Sequence, residues 1–261
     1  MKLGIIENYK NDGFLKVKNY GLDFIEVTLH NFNVIDDFIK NQETTKKNME
    51  ETDVFIGSIG VWGMDHINAD GSSINDMLTR ELALIDACAE LGCKNYVTGC
   101  NYIDKCSYLQ NCLYAVEYLH KLLARGSEKN VRISVYNCSW NNFIYDETAW
   151  TVILGHLSEL YIKYDFSHCI SRNGDYFAEI LKWGKRFGHI HLKGALIING
   201  VCIDAPPAGM DSVNWGAVFA ALYNIGYNYL VSIEPHSDVW LGELGERGIL
   251  YTIDYMRKLV F

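Results

Sequence analysis

The stretch YIKYDFSHCISR, Tyr161–Arg172, shows how this chain is organised. An apolar and aromatic run of strand-forming residues ends in Asp165, and His168 follows three residues later. A carboxylate is unexpected at the end of a strand that looks buried unless that end faces a functional site. The stretch therefore predicts a buried strand whose carboxyl end contributes residues to a functional site.

Two later stretches repeat this arrangement. FGHIHLKG (187–194) ends in His191 and Lys193, and LVSIEPHS (230–237) ends in Glu234 and His236. Each is a short apolar run that breaks into residues typical of metal or acid–base sites. Residues of this kind can also be hydrogen-bonded loop residues, but three successive strand ends favour a common site.

Strand and helix patterns alternate along the whole chain. The predicted strands are Lys2–Ile6, Phe24–Leu29, Val54–Val61, Asn95–Thr98, Val131–Tyr136, Leu160–Asp165, Gly188–Leu192 and Leu230–Ile233. Apolar residues at helical spacing predict helices over Ile74–Gly92, Tyr108–Gly126, Asp175–Arg186 and Asn214–Tyr227.

Eight strands that alternate with helices predict a (β/α)8 TIM barrel, formed as one domain by residues 1–261. A doubly wound sheet is the rival, but no GxGxxG or P-loop stretch follows a predicted strand. In a barrel the carboxyl ends of all strands meet at one mouth. Asp165, His191 and Glu234 are therefore expected to converge there, as ligands that suit Mn²⁺, Mg²⁺, Co²⁺ or Zn²⁺.

Composition narrows the classes of function. The chain is 49% hydrophobic, enough for a sizeable core, and its formal net charge is −9. Nucleic-acid binding needs a basic surface and is not expected. Neither a secretory signal nor a run of about 18 apolar residues is present, so no membrane partner is expected. Eight cysteines without a CxxC pair favour reduced thiols and a cytoplasmic location.

The motifs KYDFSH (163–168), HIHLKG (189–194) and VSIEPHS (231–237) resemble the strand-end motifs of the xylose-isomerase-like barrels. That superfamily, often labelled sugar phosphate isomerase/epimerase, also holds inosose dehydratases and the endonuclease IV group. The resemblance covers essentially the whole chain. It implies one divalent metal, with Mn²⁺ as the first choice, bound by Asp165, His191 and Glu234.

The family's fourth ligand is a glutamate after the fifth strand, and here the chain departs from the pattern. The matching stretch is YNCSWNNF (136–143), whose register places Asn142 at the ligand position. Asn137 takes that position if the register slips. An amide oxygen can bind a hard cation but cannot act as a base, so weaker metal binding is expected.

This departure changes the expected mechanism. Ketose 3-epimerases of the family use two glutamates, one on each face of the sugar, and only Glu234 of that pair remains here. Isomerisation with one base, through an enediol, is still open, with Lys193 or His168 as the opposing acid. Elimination from a keto-sugar or keto-inositol by a dehydratase or lyase is the alternative. Lys193 could also be a solvated lysine.

A polyol substrate fits the residues near the predicted mouth. Aromatic rings stack on the C–H faces of sugars, while amides and imidazoles hold hydroxyl groups. The expected substrate-binding residues are Trp62, Asn137, Trp140, Asn141, His236 and Trp240. His189 is expected one layer deeper, either packed or supporting a ligand residue, and the loop 204–215 could form a lid or a plain connection.

The sequence therefore predicts a metal-dependent sugar isomerase or epimerase of this fold. The resemblance also implies a homodimer or homotetramer. A non-catalytic sugar-binding barrel is a third interpretation, in which the lost glutamate reflects lost chemistry. An abasic-site endonuclease is disfavoured by the net charge of −9.

Overall fold

Eight parallel strands close into a barrel in the computed structural model, which describes residues 1–261. In chain order the strands are β1 (Lys2–Ile6), β2 (Phe24–Leu29), β3 (Phe55–Val61), β4 (Asn95–Thr98), β5 (Arg132–Tyr136), β6 (Tyr161–Asp165), β7 (Phe187–Leu192), β8 (Leu196–Ile198), β9 (Val201–Asp204) and β10 (Leu230–Ile233). Strands β1–β7 and β10 form the barrel, and β10 closes it by pairing with β1. Strands β8 and β9 form an antiparallel hairpin after β7.

Ten helices connect these strands. They are α1 (Asn11–Asn19), α2 (Phe32–Lys40), α3 (Gln42–Thr52), α4 (Asn75–Glu90), α5 (Tyr108–Lys129), α6 (Glu147–His156), α7 (Phe166–Ser171), α8 (Tyr176–Trp183), α9 (Trp215–Asn224) and α10 (Gly242–Arg257). A 3-10 turn, Gly184–Arg186, follows α8. None of the helices combines the length and apolarity needed to cross a membrane.

The predicted (β/α)8 barrel is confirmed, and each predicted strand is present with its ends within one residue of the prediction. Predicted helix ends are wrong by up to three residues. Helix α9 ends at Asn224 rather than at Tyr227. Helix α5 continues past Gly126 and ends before Asn130, which adopts the left-handed conformation at φ 54°. Gly126 is instead a packing position, because a Cβ there would lie 2.6 Å from the carbonyl oxygen of Val131. The hairpin of β8 and β9 was not predicted.

The lower part of the barrel is filled by side chains. Phe24 occupies the space between two strands that carry glycine opposite it: a Cβ on Gly4 or Gly57 would lie about 2.5 Å from its ring. Asn95 joins the layer by donating to Ser58 Oγ and accepting from Ser134 Oγ. Because this end is plugged, the open space of the barrel lies toward the carboxyl ends of the strands.

Candidate active site

Asp165, His191 and Glu234 come together at the carboxyl ends of β6, β7 and β10. One potential ligand atom from each lies within 4.8 Å of the others. Their convergence follows from strand register, because Asp165 pairs directly with His191 and Glu234 follows the last pair of β10 with β7. Glu234 is partly exposed and lines the cavity, whereas the other two side chains are buried.

Asp165 has one satisfied and one unsatisfied oxygen. Its Oδ1 accepts from the backbone N–H and the hydroxyl of Ser167, at 2.8 and 2.7 Å, which caps α7. Its Oδ2 is fully buried and has no hydrogen-bond partner, although His168 Nε2 lies 3.4 Å away. A buried carboxylate oxygen without a partner is rare and fits a ligand position for a cation.

His191 is held by a second carboxylate behind it. Its Nε2 donates to Glu26 Oε1 at 2.8 Å, while its Nδ1 faces Glu234. Metal-binding histidines commonly donate their other ring N–H to a carboxylate, which fixes the tautomer. The donor set of Asp165, His191 and Glu234, with Glu26 behind the imidazole, therefore suits one divalent metal.

Opposite charges in contact decide the protonation states of this group. Burial alone would lower the pKa of His191, but Glu26 and Glu234 outweigh it and raise that pKa. Burial acts to raise the pKa of Glu234 and of Glu26, yet their imidazole neighbours hold both pKa values well below the usual range. The pKa of Asp165 is also lowered against the effect of its burial, by His168 and two lysines. All three carboxylates are therefore ionised at neutral pH.

Glu26 also binds His189 one layer deeper, where its Oε2 accepts from His189 Nε2 at 2.6 Å. The buried Glu26, His189 and His191 form a second group with close potential ligand atoms. Ser232 Oγ lies 3.0 Å from His189 Nε2, so His189 has the packed position expected of it. Glu26 was not predicted from the sequence, although it is a glutamate within the apolar strand FIEVTL (24–29). It lies two residues after Phe24, so the strand pattern places both side chains on the same side.

A cavity of about 530 Å³ opens above these residues. It is lined by Ile6, Thr28, His30, Trp62, Cys138, Trp140, Lys163, His168, His191, Lys193, Glu234, Pro235 and His236. Lys193 is buried, and its Nζ lies 3.5 Å from Glu234 Oε1. Although burial would lower the pKa of Lys193, Glu234 and Asp165 raise it. Lys193 is therefore a charged donor at the site rather than a solvated surface lysine.

His168 lies on the short helix α7 rather than in the loop where it was expected. It lines the cavity and contacts Asp165. Burial lowers the pKa of His168 to about 4, with Asp165 acting in the opposite direction, so the ring is neutral at pH 7. A neutral imidazole at this position can orient Asp165 or a substrate hydroxyl.

Asn142 does not contribute to this group, contrary to the expectation that it replaces the missing ligand. Its Oδ1 accepts from the backbone N–H groups of Cys100 and Ile144, both at 3.1 Å. Its Nδ2 donates to the carbonyl oxygens of Tyr136 and Cys138. Because all of these partners are backbone groups, Asn142 braces the loop after β5 and has no free oxygen for a metal.

Asn137 and Asn141 also form hydrogen bonds with the main chain or with another loop. Asn137 is buried and exchanges two hydrogen bonds of 2.9 Å with the main chain of Asp165, so it aligns β5 with β6 instead of facing a substrate. Asn141 donates to Asp65 Oδ1 at 2.9 Å and does not line the cavity. In the loop after β5, Cys138 and Trp140 line the cavity.

The predicted aromatic residues divide between two cavities. Trp62 and Trp140 line the main one, and Trp62 stacks on Tyr136 with ring centroids 4.4 Å apart. Trp240 instead lines a smaller neighbouring cavity beside the loop 204–215. His236 reaches both cavities and is exposed, with its Nδ1 3.7 Å from Glu234 Oε1. Three of these four side chains thus reach the main cavity.

Known proteins of the same architecture are similar to this chain. The family model described as xylose isomerase-like TIM barrel matches residues 14–259. A D-psicose 3-epimerase from Clostridium cellulolyticum H10, solved with D-tagatose, superposes with a TM-score of 0.77 at 15% identity, covering 100% of this chain and 99% of its own.

Two further solved structures have the same fold. The IOLI protein with a bound zinc atom gives a TM-score of 0.77 at 18% identity, covering 100% of this chain and 98% of its own. The probable 3-DHS dehydratase AsbF from Bacillus anthracis gives 0.76 at 13% identity, covering 98% and 99%. No curated protein matches the sequence. At these identities the likenesses show the fold, and the chemistry has to be argued from the site.

Proposed function

Because the chain belongs to the xylose isomerase-like TIM barrel family, we propose that it is a divalent-metal-dependent sugar isomerase or epimerase. It would move a proton next to the carbonyl of a small sugar or sugar derivative. The observation that carries this proposal is the compact group of Asp165, His191 and Glu234 beneath a cavity of about 530 Å³, with one buried Asp165 oxygen left without a partner.

The three residues of this group would hold the metal. Their mixture of carboxylate and imidazole ligands suits Mn²⁺, Mg²⁺, Co²⁺ or Zn²⁺. When bound, such an ion would polarise the substrate carbonyl and its neighbouring hydroxyl. Glu26 fixes the orientation of His191, as a hydrogen-bonded carboxylate behind a ligand does in other metal sites.

Glu234 would act as the base, since it is the only carboxylate that lines the cavity. It takes the proton from the carbon next to the carbonyl and returns it to the neighbouring position. Lys193, 3.5 Å from Glu234, would donate a hydrogen bond to the oxygen on which negative charge develops. His168 would orient a substrate hydroxyl, while Trp62 and Trp140 provide apolar walls.

A dehydratase or lyase is the second candidate, and one observation favours it. Cys138 and Trp140, rather than a second carboxylate, follow β5 at the cavity, which Lys163, Lys193 and His168 also line. A cavity with one carboxylate and two lysines suits protonation of a leaving hydroxyl better than abstraction of a second proton. The products of the reaction distinguish the two candidates.

The first test combines metal content with proton exchange. We expect about one divalent metal per chain in the purified protein and none in Asp165→Asn. In deuterium oxide, the protein should introduce deuterium next to the carbonyl of at least one ketose, aldose or keto-sugar acid. Loss of a hydroxyl would indicate the lyase, and retention of it the isomerase or epimerase.

Two results would count against the proposal. A protein that contains no metal after Mn²⁺ is supplied would lack the site. Metal binding without exchange or turnover of any sugar would instead indicate a non-catalytic sugar-binding barrel.

A further inference from the structure

Lys163 is a buried lysine inside the barrel that the proposed chemistry does not use. It lies in the middle of β6, two residues before Asp165, so its side chain points to the same side of the strand. The residue is only 1% exposed, yet it lines the main cavity. Its ammonium group is therefore enclosed by protein except where it meets the cavity.

Unlike Lys193, the ammonium group of Lys163 has no anionic partner. No carboxylate oxygen lies within 4.0 Å of its Nζ, and its side chain makes no hydrogen bond with the protein. The other lysine of the cavity, Lys193, contacts Glu234. The nearest defined contact is the face of Trp62, whose ring centroid is 4.9 Å from Nζ. A cation–π contact offsets only part of the cost of burying an ammonium group.

The surrounding carboxylates make their short contacts with groups other than Lys163, and Asp165 Oδ2 has no hydrogen-bond partner. Glu26 accepts from both His189 and His191, and Glu234 contacts His191 and Lys193. Asp165 is occupied by Ser167 on one oxygen and faces His168 with the other. Asp165 and Glu234 lie near enough to interact with the charge of Lys163, but no carboxylate forms a direct ion pair with its ammonium group, which faces the cavity.

Lysines outnumber carboxylates on the cavity wall, although the chain carries a net charge of −9. One lining residue, Glu234, is acidic. The lining lysines are Lys163 and Lys193, whereas the lining His168 is neutral at pH 7 because burial lowers its pKa to about 4. A lysine ammonium group that faces an enclosed cavity without a direct ion-pair partner attracts negatively charged small molecules.

We propose that Lys163 binds a carboxylate of the substrate, so that the enzyme acts on a keto or aldehydo sugar acid rather than on a neutral sugar. This inference rests on the proposed function for the reaction and on Lys163 for the substrate class. A single enclosed ammonium beside an indole face matches one carboxylate. A phosphate would need several converging donors, which Lys163 alone does not supply.

Matched pairs of ligands test the inference by calorimetric titration of the metal-supplied protein. D-glucuronate and D-glucose differ by one carboxylate, as do 5-keto-D-gluconate and L-sorbose, and D-glucose 6-phosphate tests the other anion. We expect an acid to bind at least about tenfold more tightly than its neutral partner. In Lys163→Met, which keeps the apolar stem, the preference should fall to about one, with the affinity for the neutral sugar unchanged.

Two controls separate charge recognition from structural damage. Lys163→Met should keep the metal content and the melting temperature of the wild type. Lys94→Met removes a lysine charge at the amino end of β4, away from the cavity, and should keep the full preference for acids.

Three outcomes would overturn the inference. They are equal binding of acid and neutral sugar by the wild type, an acid preference that survives in Lys163→Met, and tighter Lys163-dependent binding of the phosphate. Failure of both acids to bind at 10 mM, about the upper limit for a useful ligand, would overturn it as well. Because binding is measured without turnover, an inactive protein that still selects acids through Lys163 would refute the proposed reaction and leave the substrate class standing.

Discussion

Glu234 combines two tasks in one side chain. It contacts His191 and Lys193 on the protein side, and it is also the carboxylate that reaches the cavity. Both neighbours favour its ionised form, since His191 and Lys193 hold the pKa of Glu234 below its usual range against the effect of burial. An ionised carboxylate at the edge of a cavity is ready to accept a proton.

We predict that Glu234→Gln lowers kcat by about 10²–10⁴, because glutamine keeps the shape but cannot take a proton. The measurement is solvent-deuterium exchange with the substrate found by screening, at saturating metal. Glu243→Gln, on the exposed first turn of α10, serves as the control and should be fully active. Near-normal exchange by the Glu234 variant would remove this residue from the role of base.

Asn142 shows why a ligand cannot be assigned from motif register alone. Its carbonyl oxygen and amide nitrogen both bind main-chain groups, which gives it a structural role in the loop after β5. The sequence identifies the residue but does not show which way its side chain points.

Asn142→Ala is expected to lower the free energy of unfolding by about 3 kcal/mol, since it leaves buried backbone donors and acceptors without partners. Urea unfolding measures this change, and metal content should stay at the wild-type value. Ser139→Ala, at an exposed position in the same loop, should change stability by less than about 0.5 kcal/mol. Loss of metal in the Asn142 variant would restore this residue as a ligand.

At the scale of elements, a second buried polar cluster joins the helices to the barrel outside the active site. Glu81 of α4 accepts hydrogen bonds from Tyr96 and Thr98 of β4 and from Tyr118 of α5. His66, in the loop before α4, completes the cluster with its Nε2 3.7 Å from the Glu81 carboxylate. Such a network fixes α4 and α5 against one strand, and its charge balance depends on a neutral imidazole.

Burial lowers the pKa of His66 below its usual value of 6.5, although Glu81 acts in the opposite direction. Below about pH 6.5 the unfolded chain binds a proton that the folded chain rejects, so this contribution to stability is lost as pH falls. We predict that the wild type loses up to about 1.4 kcal/mol per pH unit from this group between pH 6.5 and its folded pKa.

Unfolding in urea at pH 7.5, 6.5, 5.5 and 5.0 measures this slope. It should be shallower in His66→Gln, whereas His120→Gln, on the exposed face of α5, should keep the wild-type slope. An unchanged slope in the His66 variant would show that other groups cause the acid destabilisation.

For the whole molecule, the separation of charge is the main feature. The chain is acidic, while the cavity wall carries two lysines and one carboxylate, and Glu26 holds the ligand group below it from inside the barrel. Residues from β2, β6 and β7 and from the end of β10 thus converge on the candidate metal site. Metal binding should therefore stabilise the entire barrel rather than one loop.

We predict that a divalent metal at 100 times its dissociation constant adds about 2.7 kcal/mol to the unfolding free energy, and that a chelator removes it. Differential scanning calorimetry with Mn²⁺ or with chelator measures the shift in melting temperature. Asp165→Asn should show no shift, because an amide nitrogen replaces the oxygen that has no partner.

Asp175→Asn changes a comparable helix-capping aspartate, on α8, and should retain the full shift. A metal-dependent shift that survives in Asp165→Asn would place the ion elsewhere.

Local patterns in the sequence determined much of this protein. Strand ends could be predicted to within one residue, because alternating apolar runs and turn residues are properties of neighbouring amino acids. Asp165, His191 and Glu234 could be found since the carboxyl ends of barrel strands share one mouth. Their actual function as metal ligands remains a prediction.

Only the tertiary structure decided which polar residues face the cavity. Glu26 and Lys163 lie within apolar strands and were missed, while Asn137 and Asn142 were assigned to the site but bind main-chain groups. The direction of a side chain depends on strand register around the closed barrel and on which backbone groups lack partners. Both are set by contacts between residues far apart in the chain, which no local pattern contains.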